Sequence, residues 1–208
     1  VQVLVSHVGT LEAWTAGTVV IALPLFVAAR VLQQPPAALQ QAAAATVYAP
    51  WLVANVQIDK PLIDRPGVPS AWDSVPYGGR GLGYVDAMHQ SLSPVRGATV
   101  LTAYRAIPVS ERPGLLAGSA DGWLQRVLAD LATAHPDLPR RVRRADLMRW
   151  GHAMAIPRPG LQRHPALAAL RALRGRLRFA HADLAGCSVF EESFTAGCEV
   201  AEMGRVSQ

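Results

Sequence analysis

One stretch near the end of the chain constrains the fold more than any other: Gly175-Arg-Leu-Arg-Phe-Ala-His-Ala-Asp-Leu-Ala-Gly-Cys-Ser-Val-Phe-Glu-Glu-Ser-Phe-Thr-Ala-Gly-Cys-Glu-Val-Ala-Glu. A short apolar strand over 176–180 runs into Asp183, a loop of small residues with Gly186 follows, and a helix is expected from Ser188 to Met203. Ser188 is a good N-cap residue, and Glu191 stands at the spacing of a capping box. An aspartate beside the free N–H groups and positive dipole end of a helix can hold a polyol, an anion or a nucleotide-like ligand. Ligands of α/β folds collect at the carboxyl ends of strands, where this aspartate lies. An ordinary capped C-terminal helix has the same sequence signature, so the residues alone leave both readings open.

The rest of the chain reads as strands interleaved with short helices. Val1 to Val8 alternates as a strand and Gly9-Thr10 is a turn signal. Thr18 to Leu23 is a β-branched run expected to be buried on both faces, and Pro24 stops it. Leu25 to Leu32 can make one or two helical turns, Pro35-Pro36 breaks the chain, and Ala37 to Ala45 is strongly helix-forming. Trp51 to Ile58, Gly83 to Gln90 and Thr99 to Ala106 alternate as strands, with a long Pro/Gly-rich connection over 61–80. Leu115 to His135 has helical periodicity with Asp121 as its expected N-cap. A strand over 146–157 and a helix over 165–173 ending at Gly175 complete the pattern.

Composition excludes several classes. Half of the 208 residues are hydrophobic and 17% are charged, which is globular rather than disordered. The net charge of +5 rests almost wholly on arginine, since Lys60 is the only lysine. The densest group, Arg140, Arg141, Arg143, Arg144 and Arg149, has Trp150 as its one aromatic neighbour and no nucleic-acid module around it, so no nucleic-acid partner is expected. Cys187 and Cys198 lie about 16 Å apart along a helix at 1.5 Å per residue, too far for a disulfide. No cysteine or histidine spacing suggests a metal site. Reduced cysteines fit an intracellular setting and favour the cytoplasm. The apolar run 16–32 contains Thr18 and Pro24 and is marginal for a membrane span, so a membrane is not an expected partner.

The Asp183 segment resembles the C-terminal flavin-binding motif of the FAD-dependent amine oxidase superfamily, in its spermidine-dehydrogenase-like bacterial branch. Ala182-Asp183 stands for the family's Gly-Asp, Glu191 for its motif glutamate, and Ala196-Gly197 for its Ser-Gly. The resemblance implies FAD as cofactor, with Ala182, Asp183, Ser188, Val189, Phe190 and Glu191 around it. Asp183 would meet the ribityl chain or lie beside the pyrophosphate. The Phe190 N–H would address the flavin C2 carbonyl, and the helix start would favour negative charge on the reduced N1–C2 locus. Gly197 would let the helix pack closely on its strand. Val19-Val-Ile-Ala-Leu-Pro-Leu resembles the point where the family chain leaves its FAD domain, and Tyr48 to Asp59 with Trp72-Asp73 the first part of its substrate domain. Trp150-Gly-His-Ala followed by Pro157-Arg-Pro-Gly resembles the aromatic strand that returns toward the flavin, so Trp150 would wall the substrate cavity. His89 and Tyr77 are further candidates for that wall. The departures are the absent glycine before Asp183, Glu192 after the motif glutamate, and no lysine around Ala54 to Val56, Lys60 lying too far along.

The expected architecture is α/β (α+β): a mixed-sheet substrate domain over 33–165 flanked by pieces of a Rossmann-like FAD-binding domain at 1–32 and 166–208. No GxGxxG fingerprint occurs, and Gly78-Gly-Arg-Gly-Leu-Gly misses its spacing. The chain is therefore expected to be a fragment, inactive alone, whose partner is a missing N-terminal FAD-binding half. Apolar surface left open where that half packs would also suit a homodimer. The leading reading is an oxidoreductase that passes a hydride from an amine-like or C–H substrate, a small molecule, to flavin. The alternative is a non-catalytic binding domain that keeps the fold without the cofactor. A hydrolase is disfavoured, since there is no GxSxG elbow.

Overall fold

Side chains alternate across a strand, so a strand with one face on a core shows its burial at every second residue. The computed structural model describes residues 1–64, 66–67, 71–93 and 95–205, the last two by backbone alone. Arg65 and residues 68–70, within the expected connection 61–80, lie outside the described residues. The elements in chain order are β1 (Gln2–His7), β2 (Thr10–Thr15), β3 (Val19–Ile21), α1 (Leu25–Val31), α2 (Ala37–Ala45), β4 (Tyr48–Ile58), β5 (Asp73–Ser74), β6 (Tyr84–Asp86), β7 (Thr99–Ala106), α3 (Arg112–Ala117), α4 (Ala120–Ala134), β8 (Val142–Ala155), α5 (Pro165–Ala172), β9 (Leu177–Phe179) and α6 (Phe190–Arg205). They form two compact units, Val1–Tyr48 with Met154–Gln208, and Ala49–Ala153. The boundaries expected at 33 and 165 both fall inside the first unit, because α2 packs on α1 and α5 there.

The second unit carries a five-stranded sheet ordered β5-β6-β7-β4-β8, antiparallel from β5 through β4. Strand β4 buries every second residue, and Leu52, Ala54, Val56 and Ile58 form the floor of a core closed by Leu115, Trp123, Val127 and Leu131. The helix expected over 115–135 is two helices. Helix α3 ends before Gly118, and Ser119, not Asp121, caps α4 by accepting the Gly122 N–H at 3.1 Å. The strand expected over 83–90 is shorter, since Asp86 accepts the Met88 N–H and starts a 3-10 turn. Three arginines of the arginine-rich stretch are paired within this unit, Arg141 with Asp137, Arg143 with Asp59 and Arg144 with Asp146, and Arg149 donates to the Gly118 carbonyl at 2.6 Å.

In the first unit β3 and β9 run parallel, and Ile21 and Phe179 join Leu25, Leu39, Leu167 and Leu170 in its core. The strand expected to be buried on both faces is only three residues long. Val20 is 46% exposed, because β9 is the strand's one neighbour among the described residues. Strands β1 and β2 form a hairpin closed by Val8 and Gly9, both at positive φ as a type I′ turn requires. Both strands are exposed along their whole length. Helix α5 stops at Ala172 with Leu173 extended, so Gly175 is a later bend and not its cap.

The glycine-rich turn has a packing cause. Gly83 sits at φ +92°, and a Cβ there would fall 2.1 Å from the Ser74 carbonyl oxygen. Gly83→Ala is expected to lower stability by at least about 2 kcal/mol, combining strained φ with overpacking. In urea the midpoint should fall with an unchanged slope, and an unchanged midpoint would refute the close approach.

Candidate functional site

A carboxylate taken out of water costs several kcal/mol unless it is paired or hydrogen-bonded. Asp183 has no exposed surface. It sits in the 3-10 turn Ala182–Ala185 that follows β9, with Ala182 and Leu184 buried beside it. Its donors come from distant parts of the first unit. Oδ2 accepts the Leu25 N–H at 3.0 Å and the Tyr48 hydroxyl at 2.5 Å, and Oδ1 lies 3.5 Å from the Ser188 hydroxyl. Helix α1 follows Pro24, which offers no capping side chain, so Asp183 supplies both acceptor and negative charge at that helix start. His181 Nδ1 has two partners, the Asp183 N–H at 3.1 Å and Oδ1 at 3.3 Å. A neutral ring accepts from the first, and a ring protonated at that atom donates to the second.

Burial alone would raise the Asp183 carboxyl. Hydrogen bonds from His181, Tyr48 and the Leu25 N–H outweigh it and hold the group below the usual carboxylate range. Burial first, then the bond to Asp183 and its charge, push the Tyr48 phenol far above its ordinary value, so it stays a donor. The Tyr48 ring packs edge-on against Phe26, centroids 4.9 Å apart. Gly186 closes the turn at φ +73°, and a Cβ there would come within 3.3 Å of Leu161 and Gln162.

The expected capping box does not form. Ser188 precedes α6, but its hydroxyl accepts the Ala155 N–H at 2.8 Å and faces Asp183. Val189, Phe190 and Glu191 stand exposed at the start of α6, and Phe190 stacks on Phe194 with centroids 6.1 Å apart. Asp183 thus faces inward, and the helix start faces outward. A Cβ on Gly197 would meet nothing within 4 Å, so the close helix packing expected of this glycine is not made among the described residues. Trp150 lies on β8 in the second unit and is 54% exposed. His89 lines a cavity of about 360 Å³ in that unit, together with Trp72, Tyr84 and His135, whereas Tyr77 is fully exposed. In β4, Ala54 and Val56 face the core and Asn55 accepts the Thr102 hydroxyl, while Lys60 is exposed beyond the strand. Sequence reasoning missed Tyr48. The available signal was a tyrosine opening an alternating strand on its buried face, where the hydroxyl needs a partner.

The lowered carboxyl makes Asp183 an acid-sensitive tie. Its contribution is full above the unfolded carboxylate value of about 3.9 and is lost as pH falls through the lower folded value. Tyr48→Phe is expected to cost about 1.5–3 kcal/mol at neutral pH, as a hydrogen bond to a buried charge. The gap between wild type and variant in urea unfolding should shrink only below about pH 4. A gap that persists undiminished to the acid limit would show that the carboxylate is not the partner that matters.

The family described as flavin containing amine oxidoreductase matches residues 2–203. No curated protein matches the chain in sequence. Among solved structures, cyclohexylamine oxidase from Brevibacterium oxydans IH-35A superposes with a TM-score of 0.70 at 15% identity, covering 100% of this chain and 46% of that one. Reduced UDP-galactopyranose mutase gives 0.66 at 12% identity, over 95% and 43% of the two chains. A putrescine oxidase variant redesigned for cofactor binding gives 0.62 at 16% identity, over 90% and 43%. The chain thus spans less than half the length of each of these structures, and at such identities they show the fold alone. No helix among the described residues is long and apolar enough to cross a membrane. With the family matched over nearly its whole length, the chain belongs to the flavin-containing amine oxidoreductases, whose cofactor is FAD.

Proposed function

We propose that the chain is the C-terminal part of an FAD-dependent oxidoreductase acting on a small amine-like substrate. The observation that carries this is the outward-facing start of α6. Its first turn presents backbone N–H groups while the Ser188 hydroxyl that precedes it is engaged by Ala155 and Asp183. Phe190 is 75% exposed and Phe194 61%, a flat apolar surface beside those donors. Glu191 and Glu192 lie in the same turn and disfavour a phosphate there, so the end suits an uncharged ring carbonyl. These residues fit the edge of a flavin ring.

When bound, FAD supplies the two-electron acceptor for oxidation of a C–N or C–H bond. The chain's part is positioning. Ala182 and Asp183 hold the turn from beneath, Ser188 ties its far end to Ala155, and Val189 to Glu191 carry the main-chain donors outward. Asp183 is assigned to the loop and not to direct contact, because its oxygens already meet protein donors. Trp150 is assigned to the wall of the substrate cavity, as an exposed indole on β8, the last strand in the sheet order. The family's strand lysine has no counterpart in β4, so proton handling rests on another group or on solvent.

Phe190→Pro tests the donor. Proline is tolerated at the first helical position and removes only that N–H there, with Phe190→Ala controlling for the ring. The purified parent protein should keep its yellow colour in both variants, and the proline alone should lower the flavin potential, by about 30 mV for each ~1.4 kcal/mol of lost interaction. A parent that folds but never takes up FAD would sink the reading. Trp150→Ala should raise KM for the amine several-fold and leave the flavin spectrum unchanged. An unchanged KM would remove Trp150 from the wall.

A further inference from the structure

Three of the five arginines crowded between 140 and 149 are matched by carboxylates. A quieter group is not. Arg171, Arg174, Arg176 and Arg178 occupy the end of α5 and the run into β9. They line an open cavity of about 790 Å³ in the first unit, together with Glu199 and Glu202 of α6. None of the four forms an ion pair among the described residues. Arg178 is only 9% exposed, and a guanidinium so deep is normally matched by an anion.

The four side chains are held by the main chain. Arg171 donates to the Leu184 and Gln162 carbonyls, Arg174 to that of Arg171 at 2.9 Å, and Arg176 to that of Gly17 at 3.2 Å. Arg178 donates through Nε to Gly175 and through Nη1 to Val200. Each anchor uses part of a guanidinium and leaves further N–H donors for a ligand, so little side-chain freedom remains to be lost on binding. Four arginines against two glutamates leave a surplus of two positive charges on the cavity wall. The guanidinium fork matches phosphate oxygens. The cavity opens at the N-terminal ends of β3 and β9, about 15 Å along α6 from Phe190 at 1.5 Å per residue, and owes nothing to the flavin reading.

We infer that this cavity binds a phosphoryl dianion, either a soluble phosphate monoester or a lipid phosphate headgroup. Titration calorimetry of the purified protein with inorganic phosphate, in low-salt buffer free of other oxyanions, tests it. Saturable binding is expected, weakened about tenfold or more in Arg174→Gln and Arg176→Gln, both exposed residues. Glu202→Gln is expected to tighten binding, a gain that damaged folding would not produce. Sedimentation with phosphatidic acid vesicles against phosphatidylcholine vesicles assigns the source. Vesicle binding lost in the two arginine variants marks a headgroup site, and phosphate binding without vesicle binding marks a soluble ester. Absence of both, or arginine variants that bind phosphate like wild type, overturns the inference.

Discussion

A single buried carboxylate ties the first unit together. Asp183 is reached by a backbone N–H 158 residues away and a phenol 135 residues away. Each partner has its own reason to need the aspartate: α1 has no side-chain cap, and a buried Tyr48 hydroxyl needs an acceptor. Removing any one donor strands part of a charge that water cannot reach, so the contacts stand or fall together. Arg171 reinforces the same turn by donating to the Leu184 carbonyl. The exposed start of α6 is therefore an outward consequence of an inward constraint.

Much of the fold was legible where local physics decides alone. The alternating strand at 99–106 and the alanine-rich helix at 37–45 have the expected bounds, because few other conformations suit those residues. Errors came where a neighbour distant in sequence, or a second local choice, prevailed. Ser119 outcompeted Asp121 as a cap because Gly118 had already ended the preceding helix. The second strand of the hairpin is not legible in the sequence, since Thr10 to Thr15 buries neither face and so carries little hydrophobic signal. At the site, Asp183 was identifiable from its place after a strand, but Leu25 and Tyr48 were not, because nothing local marks them as its partners. The spacing of Ser188 suits a helix cap, and in the structure its hydroxyl accepts the Ala155 N–H instead.

Fold and chemistry separate on this scaffold. An amine oxidase and a sugar-nucleotide mutase both superpose on the chain at 15% identity or less, so the scaffold accommodates more than one reaction. What distinguishes a member lies in a few side chains. In this chain β4 presents Ala54, Asn55 and Val56, and a tryptophan stands exposed on β8. These positions differ from the carboxylate and its donors, which are engaged within the fold.

The first unit is also discontinuous in sequence, built from residues 1–48 and 154–208 with residues 49–153 intervening along the chain. A ribosome delivers Tyr48 long before Asp183, at roughly 5–20 residues per second. For that interval α1 and α2 lack the strand and helices that complete their core, while residues 49–153 can already close their own sheet. Pairing β3 with β9 spans more than 150 residues and carries the entropic cost of a long loop. Until residues 154–208 are made, residues 1–48 therefore keep uncovered the apolar surface that α5 and β9 later bury.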